Sequence, residues 1–190
     1  MPSLSFWLAY LAFGAVAGII AGLLGVGGGI VVVPALIWFF TAQGFPQDLI
    51  MQMALGTSLA AICFTSVSSF RAHHRRGAVI WPIVRNITPG IPIGTFAGSC
   101  LAARLSTGFL KGFFICFLYY VSFQMLLNIK PKPTRQIPKL PGMTGVGLVI
   151  GAVSSLVGIG GGTLSVPFMV WCNVAMHTAV GTSAAIGFPI

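Results

Sequence analysis

The chain has 190 residues, of which 56% are hydrophobic and only 6% are charged, and its mean hydropathy is +0.99. Ordinary soluble domains carry about 25% charged residues, so this composition excludes a soluble globular domain and indicates a protein of the lipid bilayer. The net charge of +9 does not indicate a nucleic-acid partner, because the ten basic residues lie almost entirely between the apolar runs.

The first predicted element is an apolar stretch from Leu4 to Phe40 that contains no charged side chain. As one straight helix it would extend about 55 Å, whereas the hydrocarbon core is about 30 Å thick. Four of the five residues at 25–29 are glycine, and each glycine disfavours a helix by about 1 kcal/mol relative to alanine. We therefore predict a broken or re-entrant element, with a long helix, an unwound segment and a short helix that begins near Pro34.

Three further apolar runs complete the first part of the chain. Each is close to the roughly 20 residues that a membrane-crossing helix needs, and they predict spans at about 49–70, 80–103 and 108–129. Basic residues are concentrated in two connections that two of these spans separate. The first contains Arg71, Arg75 and Arg76, and the second, a linker at 130–141, contains Lys130, Lys132, Arg135 and Lys139. By the positive-inside rule, both connections lie in the cytoplasm.

Other polar and amphipathic landmarks are few. Asp48 is the only acidic residue and lies in a predicted loop, so no predicted span contains a carboxylate of the kind that ion-coupled carriers often use. Tryptophan side chains favour the membrane–water interface, and the four in this chain, which we predict to be interfacial anchors, are Trp7, Trp38, Trp81 and Trp171.

The fifth apolar segment repeats the first at a shift of 133 residues. At this shift Gly27–Gly29 match Gly160–Gly162, and Pro34 matches Pro167. After a loop that is eight residues shorter in the second copy, Gly56-Thr57-Ser58 matches Gly181-Thr182-Ser183. We therefore predict an all-α fold, a polytopic transmembrane helix bundle built from two homologous repeats with Gly-interrupted helices. The first repeat is expected at 1–129 and the second at 142–190, where it is expected to be truncated and the chain to continue in a longer protein.

The duplicated glycine segments form the predicted substrate site. Irregular backbone is tolerated in a membrane where it lines a cavity, and paired Gly-interrupted segments point to a transporter binding site. The N-terminus of a broken helix favours an anion, through its free N–H groups and its dipole. The candidate substrate-binding residues are Gly25, Gly27, Gly28, Gly29, Pro34, Thr57, Ser58, Gly158, Gly160, Gly161, Gly162, Pro167, Thr182 and Ser183.

Simpler interpretations of these residues stay open. The glycines can serve only close helix packing, as small-xxx-small patterns do, and this interpretation fits Gly14 and Gly18 best. The Thr and Ser hydroxyls can bond to carbonyls of their own helices instead of a ligand. The sequence contains no carboxylate pair, metal-binding cluster or nucleophile–base arrangement, so we predict neither an enzyme nor a cofactor.

Several motifs of this sequence resemble those of the sulfite exporter TauE/SafE family. The resemblance is carried by the glycine run at 22–34, the segment Ala54–Ser58, the Arg71…His73…Arg76-Gly77 loop followed by Trp81, and the second block from Gly158 to Ser183. It covers nearly the whole chain and implies a multi-pass permease of the bacterial inner membrane. Its glycine segments would flank a pathway for small anions such as sulfite or organosulfonates.

The expected partners are therefore the lipid bilayer and a small anionic substrate, and not nucleic acid. Two other functions stay open: an anion channel that uses the same backbone sites, and a membrane scaffold without transport. The sequence also leaves open whether the protein forms a homo-oligomer and whether its two repeats are parallel or inverted.

Overall fold

The structure, a computed structural model, describes residues 4–24, 28–127, 137–138 and 140–190. These residues form α-helices and no β-strand, which confirms the predicted all-α class for this part of the chain. The helices are α1 (Leu4–Leu24), α2 (Gly29–Ala42), α3 (Ile50–Arg75), α4 (Trp81–Ile87), α5 (Gly90–Arg104), α6 (Thr107–Leu126), α7 (Leu140–Val157), α8 (Gly162–Trp171) and α9 (Met176–Ile186). The candidate residues Gly25 and Gly27 and the basic residues Lys130, Lys132, Arg135 and Lys139 lie outside the described residues.

Helix α2 begins at glycine and not near Pro34, so the predicted start is wrong, and α8 likewise begins at glycine and not near Pro167. Each proline is instead the sixth residue of its helix. There the missing N–H removes only one hydrogen bond, to the second residue of the helix. The start is set by a glycine carbonyl: Gly28 O accepts from the amides of residues 31 and 32, and Gly161 O accepts from those of residues 164 and 165.

The predicted span at 80–103 consists of two helices, α4 and α5, and not one. Thr88 and Pro89 lie between them with helical backbone angles. Pro89 has no N–H to donate to the carbonyl four residues earlier, so the ladder of hydrogen bonds is interrupted and the helix is divided. The amide of Ile91 accordingly donates to the carbonyl of Thr88, three residues before it.

Helix α3 extends further than predicted, and residues 71–75 form its last turns instead of a loop. Basic side chains are favourable there because they face the negative end of the helix dipole. The helix ends in a Schellman motif: Gly77 has a φ of +67°, its amide donates to the carbonyl of His74, and the amide of Ala78 donates to that of His73. This left-handed position requires glycine.

Helices α5 and α7 form the closest helix pair, because glycines let their backbones touch. A Cβ on Gly90 or Gly94 would overlap the carbonyl oxygen of Thr144 or Leu148 on α7. This is small-residue packing of the kind common between membrane helices. The same interpretation was expected for Gly14 and Gly18 on α1, but among the described residues no atom lies within 4 Å of a Cβ at either position.

The exterior of the described helices is strongly apolar. Phe64 is 81% exposed, Phe96 73% and Leu126 83%, which is unfavourable in water but favourable against lipid tails. By length and composition, two helices within the described residues are long enough to cross a membrane, α3 and α7, while the shorter α2 and α8 are also apolar.

Candidate functional site

The described end of the first glycine segment contacts the second glycine segment at a buried position. A Cβ on Gly29, the first residue of α2, would overlap the carbonyl oxygen of Gly158, which follows α7. Gly158 has a φ of +70°, and a Cβ there would also press against Leu55 and Val33. Only glycine satisfies both the backbone angle and the close approach. The structure therefore brings together one predicted site residue from each segment.

Ser58 bonds across this contact. Its side chain is 1% exposed, and its hydroxyl donates to the carbonyl of Gly158 at 2.8 Å. Thr57, the preceding residue, is exposed on the other side of α3 and donates to the carbonyl of Met53 at 2.8 Å. Thr57 therefore bonds to its own helix, as the alternative interpretation allowed, whereas Ser58 holds the second glycine segment in place.

The second Gly-Thr-Ser triplet has a different set of partners. Thr182 is fully buried and accepts a hydrogen bond from the amide of Ile80 at 3.0 Å, so it positions the connection before α4. Gly181 packs against the carbonyl oxygen of Ala78 in the same connection. Ser183 accepts from the hydroxyl of Ser165 on α8 at 2.9 Å. Of the three residues of the triplet, Ser183 is therefore the one whose side chain contacts the first turn of α8.

The turn before α8 presents backbone N–H groups. The amides of Gly158 and Ile159 both donate to the carbonyl of Ser154, and donation resumes with those of residues 164 and 165, which bond to Gly161. Within the described parts of the chain, the amides at positions 160–163 donate to no backbone carbonyl. They form the positive end of the helix dipole, which is an arrangement that binds anions.

Buried hydroxyl groups without a partner lie beside these amides. Ser154 is 2% exposed, and its Oγ lies 3.6 Å from the Cβ position of Gly161. Neither this Oγ nor the buried Oγ1 of Thr163 has a hydrogen-bond partner among the described residues. Buried polar groups are normally paired, so the hydroxyls of Ser154 and Thr163, like the amides before α8, are donors without an acceptor among the described residues.

The site is electrically neutral. Every buried polar side chain in the described part of the chain is serine or threonine, and the described basic side chains lie at the ends of α3, α4, α5 and α6 or next to them. Among the described residues there is also no group of three or more His, Cys, Asp or Glu side chains that could hold a metal ion. The site can therefore act on a ligand through hydrogen bonds and the helix dipole.

Apolar side chains enclose the turn in this conformation. Ile62 lies 3.0 Å from the Cβ position of Gly160, and Ile150 and Ile190 lie 3.2 and 2.6 Å from that of Gly161. Low dielectric surroundings strengthen hydrogen bonds to a charged ligand and make unpaired donors costly. This enclosure is typical of a site that is closed to water.

The remaining candidate residues are less directly involved. Pro34 is exposed and Pro167 is half-buried, one helical turn beyond each helix start. Gly28 contributes its carbonyl to the start of α2. Sequence comparison between the repeats missed Ser154, Thr163 and Ser165, because the matching positions of the first copy hold Ala21, Ile30 and Val32.

Comparisons with known proteins indicate the family of this chain. The sequence profile described as sulfite exporter TauE/SafE matches residues 10–190. A "probable membrane transporter protein" of Haemophilus influenzae is 37% identical over 185 residues, which are 96% of this chain and 70% of that protein. The "probable membrane transporter protein YunE" of Bacillus subtilis is 29% identical over 198 residues, covering 94% of this chain and 72% of that protein. No solved structure matches the chain.

Proposed function

Because this chain belongs to the sulfite exporter TauE/SafE family and is a membrane transporter, we propose that it is a multi-pass permease for small anions such as sulfite or organosulfonates. We place it in the bacterial inner membrane and assign it an alternating-access mechanism. The observation that carries the proposal is the neutral donor set at the start of α8, formed by the amides at 160–163 and the hydroxyls of Ser154 and Thr163. An acceptor-only ligand, such as an oxyanion, satisfies such a set.

The proposed architecture has two homologous repeats, with one broken helix in each. Two matching features support it: Gly28 and Gly161 occupy equivalent helix starts, and Pro34 and Pro167 occupy the same helix position. In transporters built from such repeats, the substrate lies where the broken helices meet. We therefore place the pathway beside the contact between Gly29 and Gly158.

Transport through this site requires the enclosed turn to open toward one side of the membrane at a time. Ile62, Ile150 and Ile190 cover the glycines in the present conformation, so these side chains must move before an anion reaches the α8 amides. The hydrogen bond between Ser58 and Gly158 couples α3 to this turn. A displacement of α3 relative to α8 would therefore change the exposure of the site.

Flux measurements on the full-length protein in proteoliposomes test the function. We expect saturable uptake of labelled sulfite or methanesulfonate, with faster uptake when the same anion is preloaded inside. Counterflow of this kind requires a carrier that binds its substrate on alternate sides. Unitary currents without counterflow would indicate the anion channel instead, and the absence of saturable flux for each tested anion would indicate the scaffold.

A further inference from the structure

A stripe of residues on the outer face of α3 changes from apolar to basic along its length. Its members follow helical spacing and line one groove: Phe64, Val67, Ser68, Arg71, His74 and Arg75. The groove is open to its surroundings and lies between side chains of α3 alone. The opposite face of α3 carries Ser58 and Ile62, which contact the glycine site. The groove is therefore separate from the proposed transport pathway.

The positive charge of this stripe has no counterpart within the chain. Asp48 is the only acidic residue of the sequence, and it precedes the opposite end of α3. At 1.5 Å per residue, Arg71 lies about 32 Å along the helix from Ile50. A charge at that distance is well beyond the Debye length of about 8 Å at physiological ionic strength. Within these 190 residues, no acidic side chain therefore neutralises Arg71 and Arg75.

Aromatic contacts indicate the depth of the stripe in the bilayer. The ring of His74 packs edge-to-face on Trp81 with a centroid distance of 5.4 Å, and Phe70 packs on the same indole at 6.4 Å. Because tryptophan favours the interface, these contacts place Arg71 and Arg75 at the level of the lipid headgroups. Phe64 lies about 10 Å further along the helix and is 81% exposed, which is the depth of acyl chains.

We propose that this groove binds the headgroup phosphate of an anionic phospholipid, with Arg71 and Arg75 on the phosphate and an acyl chain along Phe64 and Val67. Two arginines one turn apart can share the oxygens of one phosphate, and juxtamembrane basic clusters attract anionic lipids. The apolar continuation of the stripe distinguishes a lipid from a free phosphate ion. This inference does not depend on which anion the protein transports.

Native mass spectrometry of the full-length protein tests the site. The protein is reconstituted in phosphatidylcholine nanodiscs that contain a minor fraction of phosphatidylglycerol, and the retained lipids are counted after release. We expect the wild type to be enriched in phosphatidylglycerol. The double variant Arg71→Gln/Arg75→Gln should lose this enrichment by about fivefold for each charge removed.

Matched variants separate the site from general charge effects. Arg104→Gln/Lys111→Gln removes the same charge at the ends of α5 and α6 and should keep the enrichment. Arg71→Lys/Arg75→Lys keeps the charge and should retain most of the enrichment. This lysine variant remains informative if the glutamine variant does not fold. Soluble glycerol 1-phosphate should not displace the lipid, because it lacks the acyl chain. Wild-type protein without preference for phosphatidylglycerol, an unaffected glutamine variant, or full displacement by glycerol 1-phosphate would each overturn the proposal.

Discussion

Ser154 is a serine on the buried face of α7 whose hydroxyl has no hydrogen-bond partner among the described residues. Its neighbour Ser155 is equally buried, at 2% exposure, but donates to the carbonyl of Ala152 at 2.9 Å. An unpaired buried hydroxyl costs about 1–3 kcal/mol, so a protein retains it at a loss of stability unless a ligand satisfies it. The contrast between the two serines makes Ser154 the residue that best reports on anion binding.

We predict that Ser154→Ala stabilises the protein without ligand by about 1 kcal/mol, because the unpaired hydroxyl is removed. The same change should weaken methanesulfonate binding about tenfold, which corresponds to about 1.4 kcal/mol. Thermal unfolding of purified protein with and without methanesulfonate measures both effects. Ser155→Ala is the control: it should lower stability and leave the anion-dependent shift intact. If the anion-dependent shift in unfolding temperature is unchanged in Ser154→Ala, this serine is not part of the binding site.

Among the helices, α9 packs against α4 and also bonds to the connection that precedes it. Thr182 on α9 is fully buried and accepts from the amide of Ile80 just before α4. Thr57 has the same neighbours in sequence, Gly and Ser, but lies exposed on α3 and donates to the carbonyl of Met53. Two identical triplets therefore have different roles, which are set by the helices that pack against them.

We predict that Thr182→Val destabilises the protein by about 1–3 kcal/mol, because the near-isosteric change leaves the part-buried amide of Ile80 without its acceptor. The matched change Thr57→Val should alter stability by less than about 0.5 kcal/mol, as surface substitutions usually do. Denaturation in detergent measures the two variants side by side. Equal effects would show that Thr182 does not anchor α4 in the way that the hydrogen bond indicates.

Across the helix bundle, basic side chains and polar binding groups occupy different regions. The described basic side chains lie at helix ends, whereas every buried polar side chain in the described residues is serine or threonine. No buried cation is thus present there to compensate a second negative charge on a ligand. Because transferring charge from water costs several kcal/mol per ion without a partner, the site suits a monovalent anion better than a divalent one.

We predict that methanesulfonate, a monoanion, is transported with a kcat/KM about tenfold or more above that of sulfate, a dianion of similar shape. Lowering the pH should increase sulfite flux, because sulfite becomes a monoanion, and should leave methanesulfonate flux unchanged. Proteoliposome uptake of the three anions at matched ionic strength measures these ratios. Preferred transport of sulfate would show that a cation outside the described residues completes the site.

Much of the fold follows from local sequence patterns. The all-α class follows from long apolar runs, since backbone groups in lipid must bond within their own segment. The positions of helix ends were less predictable. Pro34 looked like a helix start, yet α2 begins five residues earlier, because the carbonyl of Gly28 accepts the first hydrogen bonds and the helix tolerates the proline. Pro89 divided a run that composition alone made continuous.

The helical membrane class of the chain and the duplication of its glycine segments could be predicted from the sequence, because composition and spacing are local properties. Helix packing is what brings Gly29 against Gly158, lets Ser58 bond to the second segment, and places Ser154 beside the start of α8. These facts depend on the rotation of each helix about its axis and on the helix packed against it. Residues far apart in the chain set that rotation through close packing, so no local pattern records it.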